Sequence, residues 1–208
     1  MATQTRVRGT DAPQPVREER RPAALWFVLM LGGGVVGAVA AGWQLVERIA
    51  YAEGAGTGLC EINSVLSCTS IFAHWQSSAL GVPNTLVSLP IFALLASGGL
   101  AGLLGTRLSR AYAATLFGLT VFMSLFVTWY MHQSAFAIGA LCLFCTVGAA
   151  ALITIGVGVT RVVDAEQALG SGRAGRQLRL LVEARADLIV WAGLAALIAV
   201  LLYLGLAL

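Results

Sequence analysis

The sequence predicts an all-α, polytopic membrane protein with five spans and little soluble mass. Three observations carry this. Of the 208 residues, 58% are hydrophobic and only 11% charged, where a soluble domain is typically about 25% charged. Five mostly apolar runs reach the roughly 20 residues that a helix needs to cross a bilayer. The cationic residues, all arginine, gather in alternate connections between those runs.

Residues 1–22 are rich in Arg, Glu, Pro and Gln and nearly devoid of large apolar side chains. They cannot bury enough surface to offset chain entropy, so a disordered cytoplasmic tail is expected. The first span runs from about Leu25 to Glu47 and contains Gly32-Gly33-Gly34, small residues that let neighbouring helices approach closely. It is too long for a signal-peptide core and no small-residue cleavage site follows. An outer loop covers residues 48–80. The second span starts near Pro83, where proline suits a first helical turn, and ends near Leu104, with Pro90 expected to kink it. The third covers about Ala111–Met131. After the short connection His132–Phe136, the fourth runs from about Ala137 to Thr160. A polar, arginine-rich cytoplasmic loop, 161–186, precedes the fifth span, 187–208.

Arginine placement orients the set. The tail carries Arg6, Arg8, Arg17, Arg20 and Arg21; the second connection Arg107 and Arg110; the fourth Arg161, Arg173, Arg176, Arg179 and Arg185. The first connection has only Arg48 and the third has none. Positive charge stays on the cytoplasmic side, so the N-terminus is expected inside and the C-terminus outside. No basic face reads as a nucleic-acid site.

This topology, built without reference to cysteine, puts Cys60 and Cys68 in an outer loop and Cys142 and Cys145 at the outer end of the fourth span. All four sulfurs then share the face on which disulfides persist. Four cysteines allow three complete pairings, and spacing alone does not choose among them. Cys142-Leu143-Phe144-Cys145 is a C-x-x-C whose side chains share one face of a helix. The free amides of the helix N-terminus favour a thiolate there, while apolar burial opposes it. The plain alternative is two small apolar residues in a lipid-phase helix. For the loop pair it is a structural staple. Four thiolates also suit zinc, but His74 and His132 lack the spacing of metal ligands, so no metal site is expected.

With both pairs active, an electron path follows. An external thiol attacks the loop disulfide, the reduced loop attacks the helical disulfide, and the helical pair passes two electrons and two protons to a lipid-soluble acceptor such as a quinone. Ser70-Ile71-Phe72-Ala73-His74-Trp75 reads as an interfacial segment, with Phe72 and Trp75 as membrane anchors or quinone contacts.

These residues resemble the vitamin K epoxide reductase family, specifically its bacterial homologues. Seven residues separate Cys60 from Cys68; Thr69-Ser70-Ile71-Phe72, Trp75 and Gly81-Val82-Pro83 follow; the C-x-x-C opens the fourth span. The likeness covers about residues 25–160 and implies a transmembrane domain over 23–160. It implies a four-helix bundle core around a quinone (menaquinone or ubiquinone), capped by the outer loop, with the fifth transmembrane helix outside. It implies that Cys60 exchanges with a partner protein, that Cys68 forms a mixed disulfide with Cys142, and that Cys145 faces the quinone. Asn84 stands where members present a polar side chain to a quinone oxygen; helix capping is its alternative role. The stretch Thr146–Ala150 lacks the tyrosine that many members carry there. Some bacterial homologues continue into a fused thioredoxin-like domain, so the expected partner is a separate thioredoxin-fold (DsbA-like) protein. The expected function is oxidation of that partner at the plasma or inner membrane of a bacterium, in support of disulfide formation. A non-catalytic scaffold with structural disulfides is the rival from another class.

Overall fold

A computed structural model describes residues 24–55, 58 and 60–207; the expected tail, 1–22, lies outside them. The described residues form helices α1 (Ala24–Ala52), α2 (Cys68–Phe72), α3 (Asn84–Leu103), α4 (Arg110–Gln133), α5 (Leu143–Ala165), α6 (Arg173–Glu183) and α7 (Ala186–Ala207). A 3-10 turn, Trp75–Ser78, follows α2, and a π turn, Ser134–Ile138, continues α4. Five helices are long and apolar enough to cross a membrane: α1, α3, α4 with its π turn, α5 and α7. The chain is an all-α, multi-pass membrane protein.

α1 lies against α3 and α5, and α4 closes the bundle against α5 and α3. Apolar burial contributes little to helix association in lipid, so close van der Waals packing has to supply it. The glycines of α1 do this. A Cβ on Gly34 would stand 2.6 Å from the Ala96 backbone nitrogen, and one on Gly33 would stand 2.9 Å from the Ala151 carbonyl oxygen. Gly32, the third glycine of the run, faces open space. α3 runs as one helix through Pro90.

Three elements differ from the sequence expectation. α5 begins at Leu143 rather than near Ala137, because Ser134–Ile138 continue α4 as a π turn that Gly139 ends with φ of 74°. α1 continues through Arg48 to Ala52, because Glu47 and Arg48 find partners at the bundle's end and need no water. Glu47 accepts from Trp43 Nε1 at 3.2 Å and from the Gly58 amide at 2.9 Å. The arginine-rich 161–186 segment contains α6, whose Leu178 is buried while Arg173, Arg176 and Arg179 are exposed. Its apolar positions recur at helical spacing, Leu178 with Leu181 and Val182, and the high arginine content masks that stripe.

α7 packs outside the bundle on α5 and α4. Arg161 holds Asp187 through Nε at 2.6 Å and Nη2 at 2.7 Å, and its guanidinium lies 5.1 Å from the Trp26 ring centroid. One turn on, Trp191 Nε1 donates to Thr160 Oγ1 at 3.1 Å. Asp187 is only 2% exposed. Removing one partner of a buried pair leaves the other charge uncompensated. Asp187→Ala is therefore expected to cost about 3–5 kcal/mol, seen as a lower midpoint in detergent thermal unfolding. The double change Arg161→Met with Asp187→Leu should recover most of that loss.

Candidate active site

The loop between α1 and α2 folds as a small hairpin. Asn63 turns it, its Oδ1 accepting from the Val65 and Leu66 amides at 2.9 and 2.8 Å. Glu61 and Ser67 pair in antiparallel fashion. The Glu61 carboxylate accepts from Ser67 Oγ at 2.6 Å, Thr69 Oγ1 at 3.2 Å and the Thr69 amide at 3.4 Å. Ser67 caps α2 by accepting from the Ser70 amide at 3.1 Å. The hairpin ends meet in a disulfide between Cys60 and Cys68, Cα atoms 5.4 Å apart, with both residues fully buried.

The hairpin is fastened to the segment that enters α5. Leu66 and Leu141 form a parallel bridge; the Leu141 amide donates to Val65 O at 2.6 Å and the Ser67 amide to Leu141 O at 3.1 Å. Gly139 makes this possible. With φ of 74° it takes the left-handed conformation that ends the π turn, which glycine adopts at little cost, and the Ser134 hydroxyl then donates to the Ala140 carbonyl.

As a result Cys142 Sγ stands 3.3 Å from Cys68 Sγ. Cys142 is the N-cap of α5, and its sulfur accepts from the Cys145 amide at 3.4 Å. It therefore sits just before the helix, not within its first turn. Cys145, one turn along, has a free thiol that accepts from Gln44 Nε2 at 3.0 Å and interacts with the Tyr130 hydroxyl. The sulfurs of Cys60, Cys68 and Cys142 all lie within 4.8 Å of one another. Two of these are spent in the disulfide, which leaves one thiol for a metal where zinc takes four ligands.

Behind Cys145 a cavity opens between α1, α3, α4 and α5. Its outer end is polar, with Gln44, Arg48, Asn84 and Ser88; deeper, it is lined by Ala41, Phe92, Met123 and Leu152. Phe72 is buried and forms part of this wall. Arg48 Nη1 donates to the Phe72 carbonyl at 2.5 Å, and the guanidinium lies 5.2 Å from the Phe72 ring centroid. Trp75, by contrast, is 68% exposed and lies beside Trp129. Asn84 lines the cavity as the first residue of α3. Its Nδ2 donates to Gln76 O at 2.8 Å, while Oδ1 is buried without a partner. It does not cap the helix, since the N-cap is Pro83 and no side chain serves there.

The structure thus brings Cys60, Cys68 and Cys142 into one cluster and places Cys145, Asn84 and Phe72 on one cavity. Sequence reasoning missed Gln44, Arg48 and Tyr130. Gln44 carried a signal, as an uncharged polar residue within an apolar run. Tyr130 gave none, because its place on the cavity beside Cys145 depends on α4 packing beside α5.

Two cysteine pairs in exchange range at one end of a membrane bundle are the working parts of a membrane thiol oxidoreductase. The model of the Vitamin K epoxide reductase family matches residues 28–160, more than half of the chain. The chain belongs to that family, which uses quinones. No curated protein and no solved structure matches it.

The Glu61 hydrogen bonds hold the hairpin closed over a buried disulfide, and such bonds to a charged acceptor each contribute about 1.5–3 kcal/mol. Glu61→Ala is expected to speed reduction of Cys60–Cys68 by dithiothreitol at least about fivefold. Quenched alkylation followed by mass spectrometry measures that rate; an unchanged rate would show that opening does not limit attack.

Proposed function

We propose that the protein takes electrons from a separate thioredoxin-fold (DsbA-like) dithiol and delivers them, through Cys60–Cys68 and then Cys142–Cys145, to a quinone. The observation that carries this is the 3.3 Å separation of Cys68 and Cys142 sulfurs, with Cys145 on the cavity wall next in line. Reacting atoms about 3–3.5 Å apart are near attack distance.

The chain's own chemistry follows from the geometry. A partner thiolate attacks Cys60, releasing Cys68 as the leaving thiolate. Cys68 then attacks the Cys142–Cys145 disulfide at Cys142, making a Cys68–Cys142 bond and freeing Cys145. The partner's second thiolate attacks its own sulfur in the mixed disulfide, so the partner leaves oxidised and Cys60 is freed; Cys60 then attacks Cys68 to re-form the loop disulfide, displacing Cys142 and leaving Cys142 and Cys145 both reduced. That final arrangement, loop oxidised and helical pair reduced, is the one described above. The Cys145 amide holds the Cys142 sulfur in place, and the Gln44 side chain does the same for Cys145.

The cavity suits a quinone. Asn84 lines it and has a buried Oδ1 without a partner, Phe72 offers an aromatic wall, and the deep end is apolar enough for a prenyl tail. When bound, the quinone supplies a two-electron, two-proton acceptor. Arginine placement supports a plasma or inner membrane orientation with the N-terminus inside: Arg107, Arg110, Arg161 and the α6 arginines lie in connections on the side opposite the cysteines.

Mixing purified protein with a reduced thioredoxin-fold protein and following quinone absorbance tests the whole path; no stoichiometric loss of quinone would overturn it. Cys145→Ser removes the thiol that competes for Cys142, so a Cys68–Cys142 bond, formed when Cys142 attacks the loop disulfide at Cys68, is expected to accumulate with only Cys60 left to reverse it. Non-reducing peptide mapping that recovered both as free thiols under oxidising conditions would count against the order given. Cys60→Ser should lose exchange with the partner, yet still bind quinone.

A further inference from the structure

We propose that Thr85 is a headgroup-binding residue of this cavity, its hydroxyl donating a hydrogen bond to a quinone carbonyl oxygen. This rests on the quinone reading above.

A hydroxyl on a membrane helix has a ready partner in the carbonyl three or four residues back. Every other serine and threonine of the described spans uses it, except Ser134, whose hydroxyl donates forward to the Ala140 carbonyl. Ser88 and Ser97 bond to the third residue back. Thr120, Ser124, Thr146 and Thr160 bond to the fourth, as do the remaining threonines of α4 and α5. The Thr85 hydroxyl alone has no partner, although the residue is only 5% exposed. Position explains it: Thr85 is second in α3, so the residues three and four back, Val82 and Gly81, precede the helix.

A buried hydroxyl without a partner is rare and calls for an explanation. Here the side chain lines the cavity onto which Cys145 also opens. A pocket that is mostly apolar with a few convergent polar groups orients its ligand through those groups. The oxidised quinone ring presents acceptors only, so it needs a donor, and the free O–H of Thr85 is one. Asn84 is set up for the opposite task. One N–H of its amide donates to the Gln76 carbonyl at 2.8 Å, and the atom with no partner is Oδ1, an acceptor that suits a hydroquinone hydroxyl. The two neighbours divide the oxidised and reduced forms of the ligand between them.

The test uses the full-length protein in lipid nanodiscs, with decyl-benzoquinone and a short-chain naphthoquinone as probes. Binding is read by quenching of tryptophan fluorescence, and turnover with reduced thioredoxin as donor. Thr85→Val keeps the side chain's shape and removes the hydroxyl. It is expected to weaken binding of at least one quinone and raise its KM about tenfold, with kcat changed less than about threefold. Thr85→Ser should restore both. Exchange between Cys68 and Cys142, followed by peptide mapping, should be unaffected in either variant. Binding and KM equal to wild type in Thr85→Val would overturn the assignment while leaving quinone reduction standing. A defect that Thr85→Ser fails to repair would make the effect one of packing and overturn it equally. Wild-type protein that neither binds nor reduces either quinone would remove the quinone reading, and the role of Thr85 with it.

Discussion

The parallel pairing of Leu66 with Leu141 is the contact on which the site depends. Two backbone hydrogen bonds, from Leu141 to Val65 and from Ser67 to Leu141, join a surface loop to the start of a membrane helix. Each satisfies backbone groups at an interface where an unmatched amide is costly. Neither involves a side chain, so the pairing fixes position without dictating which residues occur there. With it in place, Cys68 begins α2 on one side and Cys142 caps α5 on the other, and their sulfurs come to 3.3 Å. A loop tethered only by its own disulfide would have no reason to hold that distance.

The bundle supplies the other half of the geometry. Cys145 meets Gln44 across the α1–α5 interface, and that interface is close because Gly33 and Gly158 leave no side chain between the helices. A Cβ at Gly158 would stand 2.5 Å from the Trp26 carbonyl oxygen, so a larger residue there would push α1 away. α7 backs the same end from outside: Ile198 joins the buried cluster that holds the cysteines. Helix packing at the bundle's middle and the geometry of the cysteines at one end are therefore one problem, in which the positions of small residues set the reach of polar ones.

Much of the fold was legible in the sequence because the bilayer admits few solutions. Apolar runs of span length have to be helices. Both cysteine pairs were visible by spacing, Asn84 was singled out by the family resemblance, and Phe72 by the reading of residues 70–75 as an interfacial segment. What stayed hidden depends on contacts between elements far apart in the chain. Glu47 and Arg48 read as the end of a span, since nothing in the sequence shows that Gly58 and Phe72 will receive them. Arginine content hid α6, although Leu178, Leu181 and Val182 have helical spacing. Tyr130 and Thr85 stood unnoticed on apolar helices, their importance visible only once the cavity was.

Burial separates the two halves of the relay physically. Cys68 and Cys142 are both buried and already in range, so exchange between the pairs needs little rearrangement and no water. Cys60 is equally buried, yet in the proposed relay it is the atom an outside thiol has to reach. The cover over it is the hairpin from Glu61 to Ser67, held by the hydrogen bonds of Glu61 and Asn63, whose side chains are exposed. The Leu66–Leu141 pairing lies beneath that cover, at its partly buried base. Opening can therefore begin at the exposed tip, around Ile62 and Ser64, and uncover Cys60 while the base keeps Cys68 beside Cys142. On this view selectivity for the donor thiol resides in what can engage the hairpin tip, whereas the inner steps run on distances the fold has already set.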